Sequence, residues 1–562
     1  MIRKLARRVV TPPPWLLCVA TFGVASAVAS AASAEPKWLR LSIVHDPSTS
    51  MTVAWHTVNP ASSKVQWGLD AAKLTSTAAG TSELGPGNLG YIHEAEMTGL
   101  KPGTTYFYRV GDDTDGWSAP FSFRTSPPQS PSCGKLRFVY LGDNRPDTPV
   151  GGTNEWTSIF AEAVNEGPNF VMTGGDLVYS GKDTSQWENF LGWTGDPARY
   201  VPFMPSMGNH DDDTVVGDMA TYNRIFALPR SSGTGSSGTE DYYYFTWGHA
   251  IFVSINSYLF REGSIPFGDQ AAWLDEVLTN NPRRWKFVMM HHPIYTTNTL
   301  LSHPPNENDQ NPALVPVLAK HHVDFVLQSH NHWYERYEPS NCLTAGTPGS
   351  SEPCPVGATA FDQGSVHITS GGAGALQILS CGSGLPERVK CTTDYHYVVF
   401  DVDGDQLEMQ TWRTSRQLFG EDPGNHEMID QLKITKTGGG GCTEPDAGAP
   451  EGGTDASAPD VSSPDATDAP SGDASPHADA AKDSSSGGKD SASPTYPDAA
   501  TGDEPQPGTV GPASEAASSD GGCACTSARN PGGPSWLFAL LLGAITTARL
   551  RRSSAHQQRR ER

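Results

Sequence analysis

The sequence predicts a multidomain α+β protein in which a β-sandwich is followed by an α/β domain. Between residues 35 and 128, short and partly alternating apolar runs are separated by turn residues, which is typical of strands. Between residues 136 and 436, near-continuous apolar runs alternate with helical patterns, which is typical of buried, largely parallel sheet. From residue 438 to about 522, large apolar side chains almost disappear, so this segment cannot bury enough surface to fold.

The bulk composition limits the class of protein. The 562 residues are too many for a single core, and 37% hydrophobic residues is low for a wholly globular chain. The formal net charge is −23, which argues against a nucleic-acid-binding protein, because such a protein needs a basic face. We therefore expect several domains, some unfolded chain and no nucleic-acid partner.

The first 34 residues are typical of a secretory signal peptide. A basic start precedes an apolar stretch at residues 15–28, and Ala32-Ser33-Ala34 is a small-residue cleavage site. A permanent anchor is the alternative, but the stretch is short and rich in alanine. We expect cleavage after Ala34 and an exported protein.

The strands of the sandwich, residues 35–128, are predicted from four runs: MTVAWHT, SKVQWGL, TTYFYRV and FSFRT. In the stretch GLKPGTTYFYRVG, the spacing of Leu100, Pro102, Thr104 and Tyr106 matches a tyrosine corner, whose phenol bonds to upstream backbone. The segment resembles a fibronectin type III domain. That fold carries no chemistry by itself.

The second domain, residues 129–442, is predicted to alternate strands and helices. Helices are expected around NEWTSIFAEAVNEG, DQAAWLDEVLTNN and PALVPVLAKHH, and each is followed by an apolar run that reads as a buried strand. In an open α/β sheet, sites form at the carboxyl ends of strands. The residues that follow each apolar run are therefore candidates for function.

Five strand-like apolar runs each lead to side chains that can bind metals. They lead to Asp143, to Asp176, to Asn209 with His210, to His291 with His292, and to His330 with His332. Carboxylates, an amide and imidazoles without thiolates suit Fe, Mn or Zn and argue against a structural zinc site. Since these ligands exceed the needs of one ion, we expect two ions that share a carboxylate.

The motifs GD, GDLVY, GNH, HHP and SHNHWYER, in this order, resemble those of the metallophosphoesterase superfamily and, within it, the purple acid phosphatases. The resemblance covers residues 36–436 and implies an α/β metallophosphoesterase sandwich domain with two metal ions bridged by Asp176. One ion, usually Fe(III) in that family, would take Asp143, Tyr179 and His332. The other, a divalent Zn, Mn or Fe, would take Asn209, His291 and His330.

The resemblance implies an acid phosphatase that cleaves phosphate monoesters by attack of a metal-bound hydroxide. His210 resembles the histidine that contacts phosphate or protonates the leaving group. A phosphodiesterase or nucleotidase on the same scaffold is the alternative. A non-catalytic surface adhesion protein is a remote alternative, because the ligand set is complete.

Several positions depart from the family pattern or stay open. Arg145 stands where a glycine is usual, and it could hold a phosphate oxygen or be a surface or ion-paired arginine. Tyr179 could be a packed core tyrosine instead of a ligand. Ser329 replaces a glycine, which matters little if its φ is negative. Asp211 to Asp213 could extend the site, but we expect them to form a solvated acidic loop. Glu335 and Arg336 are expected to support the last motif.

The cysteines are compatible with disulfides in an exported protein. We expect the pairs Cys133–Cys442, Cys342–Cys354 and Cys381–Cys391, although six cysteines allow 15 connectivities.

The C-terminal part is predicted to lack a core. Residues 443–522 form an acidic linker rich in Pro, Ala, Ser and Asp. Residues 523–562 combine Cys523 and Cys525, an apolar run at 536–548 and an arginine cluster. This arrangement resembles the sorting tails of myxobacterial surface proteins, which implies attachment at the cell surface. A weak permanent membrane anchor is the alternative, since the run is shorter than the ~20 residues that span a bilayer.

Overall fold

The computed structural model describes residues 35–131, 133–145, 155–215, 217–258, 266–297, 306–339, 364–377, 381, 388–414, 416–417, 420–421 and 426–437. The predicted signal peptide, linker and sorting tail lie outside these residues, as do Cys342, Cys354 and Cys442. No helix within the described ranges is long and apolar enough to cross a membrane.

The N-terminal domain is a sandwich of two antiparallel sheets. One sheet has the order β1-β2-β6-β5, and the other has the order β4-β3-β7-β8 with β9 paired to β7. The strands are β1 (Lys37–Ser42), β2 (Met51–Thr57), β3 (Lys64–Gly68), β4 (Ser76–Ala79), β5 (Thr81–Leu84), β6 (Tyr91–Met97), β7 (Thr105–Asp112), β8 (Gly116–Trp117) and β9 (Phe121–Arg124).

The tyrosine corner has the contact that its spacing predicts. The backbone N–H of Lys101 donates to Tyr106 Oη at 3.0 Å, and Leu100 and Tyr106 belong to the buried core of the sandwich. This bond ties the start of β7 to the turn that precedes it. The resemblance to fibronectin type III stays a prediction.

The second domain contains two larger sheets. The first has the order β12-β11-β10-β20-β21-β24, and the second has the order β13-β14-β15-β16-β18-β17-β19. The strands are β10 (Lys135–Leu141), β11 (Phe170–Thr173), β12 (Phe203–Pro205), β13 (Tyr243–Trp247), β14 (Ala250–Ser254), β15 (Trp285–Met289), β16 (Phe325–Gln328), β17 (Tyr334–Tyr337), β18 (Val366–Ser370), β19 (Arg388–Thr392), β20 (His396–Asp403), β21 (Gln406–Arg413) and β24 (Glu427–Thr435), with a separate two-stranded pair of β22 (Arg416–Gln417) and β23 (Gly420–Glu421).

These sheets are mixed, whereas the sequence predicts a largely parallel sheet. β10, β11 and β12 run parallel to one another, as do β14, β15, β16 and β18. The flanking strands, such as β13 and β20, pair antiparallel. The parallel part is the part on which the metal-ligand motifs lie.

In the part of the chain that the structure describes, five α-helices accompany the sheets: α1 (Glu155–Asn165), α2 (Thr184–Ala198), α3 (Thr221–Ile225), α4 (Phe267–Asn280) and α5 (Asn311–Lys320). The predicted helices correspond to α1, α4 and α5. The pattern did not predict α2, whose sequence TSQWENFLGWTGDPA contains two glycines and a proline. Asp183 caps it by accepting from Ser185 N at 3.0 Å.

The core between the two sheets is rich in aromatic rings. Phe138 stacks on Phe400 at 4.6 Å and meets Phe252 and Phe287 edge-on, both at 5.0 Å between ring centroids. A separate apolar cluster packs α4 and α5 on the outer face of the second sheet. The sheets are thereby held face to face, and their parallel strands end at one edge.

One disulfide, Cys381–Cys391, joins a loop to β19, as expected. Cys133 is buried, but its expected partner lies outside the described residues.

Candidate metal centre

The carboxyl ends of five parallel strands deliver their candidate side chains to one place. Asp143 follows β10, Asp176 follows β11, Asn209 follows β12, His291 follows β15, and both His330 and His332 follow β16. Apart from Asn209, their ligand atoms form two groups that overlap at Asp176, in each of which the atoms lie within 4.8 Å of one another.

The first group consists of Asp176, His291 and His330, and Asn209 joins it. His291 Nε2 lies 3.3 Å from Asp176 Oδ1, 3.0 Å from Asn209 Oδ1 and 3.0 Å from His330 Nδ1. His291 Nδ1 donates to the carbonyl of Gly174 at 2.8 Å. In a neutral imidazole this leaves Nε2 with a lone pair, so electron-donating atoms converge on one point.

The second group consists of Asp143, Asp176 and His332. His332 Nδ1 donates to the carbonyl of Leu376 at 2.7 Å, and its Nε2 faces Asp143 Oδ1 at 3.5 Å. Asp143 is fully buried, yet its Oδ1 has no hydrogen-bond partner among the described residues. A buried carboxylate oxygen without a donor is costly, and a cation would satisfy it.

The negative charge of the buried carboxylates also favours a bound cation. Burial raises the pKa values of Asp143 and Asp176, but neighbouring histidines reverse this and hold both below the ordinary value. Burial lowers the pKa of His291, and the two carboxylates more than offset this and raise it to about 9. The two carboxylates thus draw positive charge into a buried pocket, and the donor set fits two hard or borderline metal ions.

The backbone at three candidate ligands is in the left-handed region. Asp143, Asp176 and His330 have φ values of 57°, 56° and 69°. Such values are uncommon for residues other than glycine, and they cluster where function constrains the chain. Asp143 and His330 also bind each other, since His330 N donates to Asp143 Oδ2 at 2.7 Å.

Arg145 lies inside the site. Its side chain is nearly buried, its Nε is 3.5 Å from Asp176 Oδ2, and its Nη1 and Nη2 are 2.7 Å from His210 Nε2 and 2.5 Å from His332 Nε2. It is therefore an ion-paired arginine of the site and not a surface residue. His210 Nδ1 in turn donates to the carbonyl of Tyr179 at 2.6 Å.

Tyr179 lies beside this group. Its half-buried ring is 5.1 Å from the ring of His210, and the guanidinium carbon of Arg145 is 5.7 Å from its centroid. The ring is thus partly exposed at the site and not fully enclosed by the core. Its role as a ligand stays a prediction.

The structure corrects the interpretation of Asp211 as part of a solvated loop. Asp211 is buried, and its carboxylate accepts from the backbone N–H groups of Asp176, Leu177, Val178 and Gly208 at 2.7–3.2 Å. It therefore fixes the turn that carries Asp176 to the one that carries Asn209. An acidic triplet in a sequence does not show which of its members is buried.

Glu307 is a residue that the sequence did not single out. Its Oε2 lies 3.1 Å from His330 Nε2, and Glu307, His330 and His292 form a further group of potential ligands. Glu307 lies in a turn before α5, and no motif marks it. Only the fold brings it to the site.

Glu335 and Arg336 support the last motif, as expected. Fully buried Glu335 accepts from Thr296 Oγ1 at 2.9 Å and Arg388 Nη1 at 3.1 Å. Arg336 forms two hydrogen bonds with Asp430, at 2.6 and 3.0 Å. These contacts tie β17 to the loop after His291 and to β24.

Comparison with known proteins agrees with this geometry. Two family models match the chain: Purple acid Phosphatase, N-terminal domain, over residues 36–125, and Calcineurin-like phosphoesterase, over residues 136–334. The chain carries both of these domains. The calcineurin-like phosphoesterase domain is that of metal-dependent phosphoric ester hydrolases, and it contains every predicted ligand.

Curated relatives include purple acid phosphatases. Probable purple acid phosphatase 20 of Arabidopsis thaliana is 27% identical over 51% of this chain and 66% of that protein. Acid phosphatase type 7 of Homo sapiens is 27% identical over 65% of this chain and 84% of that protein. The chain thus spans about two thirds of the length of the plant relative.

Solved structures share the fold. The purple acid phosphatase PPD1 from Lupinus luteus seeds has a TM-score of 0.57 and 19% identity, covering 71% of this chain and 74% of that one. PhoD has a TM-score of 0.53 and 13% identity, covering 72% and 91%. At these identities the likeness concerns the fold alone.

Proposed function

We propose that this protein is an exported acid phosphatase that hydrolyses phosphate monoesters with two metal ions. The observation that carries the proposal is the convergence of Asp143, Asp176, Asn209, His291, His330 and His332 from five strand ends into two overlapping ligand groups. Two ions held by these residues would supply positive charge to the phosphoryl oxygens and acidify a water molecule.

The chain's own residues have separate tasks. Arg145 carries a fixed charge at the site and is suited to hold a phosphate oxygen once substrate displaces its present partners. His210 is oriented by its Nδ1–H bond to the carbonyl of Tyr179, so its Nε2 faces the site. In the imidazolium form, Nε2 also carries a proton, which the leaving alkoxide would take. Asp176 is the ligand that both groups share.

Asp176→Asn tests the reaction. The amide removes the shared negative charge, and we expect kcat/KM for p-nitrophenyl phosphate to fall roughly 10³-fold or more, because metal-ion catalysis contributes several kcal/mol. Asp309→Asn, which changes an exposed carboxylate, is the control. An unchanged rate in Asp176→Asn would refute the proposal.

The same assay separates monoesters from diesters. We expect a higher kcat/KM for p-nitrophenyl phosphate than for bis(p-nitrophenyl) phosphate. The reverse order would favour a phosphodiesterase on this scaffold. Binding without any hydrolysis would favour an adhesion protein.

Metal analysis with a visible spectrum tests the cofactors. We propose Fe(III) near Asp143, Tyr179 and His332 and a divalent Zn, Mn or Fe near Asn209, His291 and His330. Tyr179→Phe is expected to abolish a phenolate-to-iron absorption band while iron remains bound. A colourless protein with two zinc or manganese ions would contradict the iron assignment.

We further propose attachment at the cell surface through residues 523–562. Truncation after residue 522 is expected to release active enzyme into the medium. Retention of the truncated protein in the cell envelope would contradict this.

A further inference from the structure

We propose that Glu307 is a positioning residue that orients His330 for cation binding, an inference that rests on the proposed function. Glu307 Oε2 lies 3.1 Å from His330 Nε2. The side chain of His330 is 5% exposed and that of Glu307 is 23% exposed, so water screens this contact only in part.

The contact selects the tautomer of the imidazole. A carboxylate can only accept, so His330 Nε2 must carry the hydrogen. In the neutral ring, Nδ1 then keeps a lone pair. Nδ1 is the nitrogen that faces the ligand group, 3.0 Å from His291 Nε2. Glu307 therefore turns the donor atom of His330 towards the cation position.

The neighbouring His291 supports this assignment. Its Nδ1 donates to the carbonyl of Gly174 while its Nε2 faces the same group. A carboxylate behind a ligating histidine also makes that histidine a stronger donor.

The test is metal affinity, measured by chelator competition with Zn²⁺ on the purified protein. Loss of such a partner typically weakens metal binding about 10- to 100-fold. We expect Glu307→Ala to weaken the binding of one of the two cations to this extent and to leave the affinity for the other unchanged. Glu307→Gln keeps an acceptor oxygen without the charge, so we expect it to lose less cation affinity than Glu307→Ala does. Asp309→Asn, in the same turn, is expected to bind both cations as the wild type does.

Activity gives a second readout. At saturating Zn²⁺, Glu307→Ala is expected to recover kcat with an unchanged KM, because the residue does not contact substrate. Glu307→Ala with wild-type affinity for both cations would overturn the inference. Equal weakening of the binding of both cations would also overturn it, because that result indicates a general loosening of the site. Loss of a third bound cation would overturn it as well, because that result indicates a separate site at His292, Glu307 and His330.

The two proposals fail in different ways. A wild-type protein that binds no cation and hydrolyses no ester refutes the proposed function, and this inference with it. Only the role of Glu307 is refuted if the wild-type protein binds two cations and hydrolyses the ester and the Glu307→Ala variant does both equally well. Melting temperatures of the metal-free proteins are expected to agree, and a lowered value for Glu307→Ala would indicate a structural role instead.

Discussion

At the scale of single residues, burial decides what a charged side chain does. Asp211, Asp212 and Asp213 are adjacent and chemically identical, yet only Asp211 is buried against four backbone donors. A sequence shows that these carboxylates exist but not which of them meets the N–H groups of another turn, because those groups come from the end of a different strand.

Asp211→Asn is expected to lower the free energy of unfolding by roughly 2–4 kcal/mol. One carboxylate oxygen becomes an NH₂ group that faces backbone donors, and each unsatisfied buried donor costs about 1–3 kcal/mol. Urea denaturation at constant metal concentration measures this. Asp212→Asn, whose Oδ1 accepts from Thr214 N, is the control and is expected to lose no more than about 1 kcal/mol. Equal stability of the two variants would contradict the assigned role of Asp211.

At the scale of elements, the ends of β10, β11 and β16 pack closely because Gly142 and Gly174 leave space for Ser329. A Cβ on Gly142, after β10, would lie 1.9 Å from Ser329 Oγ, and one on Gly174, after β11, would lie 2.0 Å from the same atom. Ser329 is not among the residues with positive φ, whereas His330 is. Serine is therefore compatible with the backbone at this position, and the glycines opposite it provide the space.

Gly142→Ala and Ser329→Gly are therefore expected to be coupled. Gly142→Ala alone overpacks the site at a cost of about 1–3 kcal/mol. With Ser329→Gly, the nearest remaining atom is Gly174 Cα at 3.3 Å, so most of that cost disappears. A double-mutant cycle of unfolding free energies is expected to give a coupling of about 1–3 kcal/mol.

The control for this cycle is Gly80→Ala in the N-terminal sandwich. Its Cβ would meet the carbonyl oxygen of Glu94 and not Ser329. The loss of unfolding free energy caused by Gly80→Ala is expected to add to the change caused by Ser329→Gly. Additivity in the Gly142 cycle as well would show that the serine does not require the glycine.

At the scale of the whole molecule, the sandwich packs directly on the calcineurin-like phosphoesterase domain. Trp38 of β1 packs against the core between the two large sheets, and Arg40 donates to the carbonyl of Ile225 in α3. Tyr108 Oη donates to the carbonyl of Arg199 at 2.7 Å, while the Arg199 guanidinium lies over Phe121 at 4.7 Å. The sandwich is therefore held against the core of the second domain, α3 and the residue that follows α2.

Trp38→Ala is expected to lower the free energy of unfolding by roughly 2–4 kcal/mol, because it removes a large apolar contact between the domains. Trp117→Ala, in the same sandwich at β8, is the control. Its half-buried indole stacks on Arg109 at 4.6 Å, and we expect a loss of about 1 kcal/mol. Calorimetric melting curves measure both. Equal losses would argue against a stabilising interface at β1.

The sequence by itself determined the two domain classes, the parallel strands of the second domain and which strand-end side chains are candidate ligands, because apolar periodicity and the residues after each strand are local properties. The sequence did not predict α2, which contains two glycines, or the antiparallel flanking strands, because tertiary contacts override weak local patterns there. Only the tertiary structure decided that Arg145 lies between His210 and His332, that Asp211 is buried, and that Glu307 reaches His330. These are contacts between residues distant in the chain, and their distances depend on how the two sheets pack.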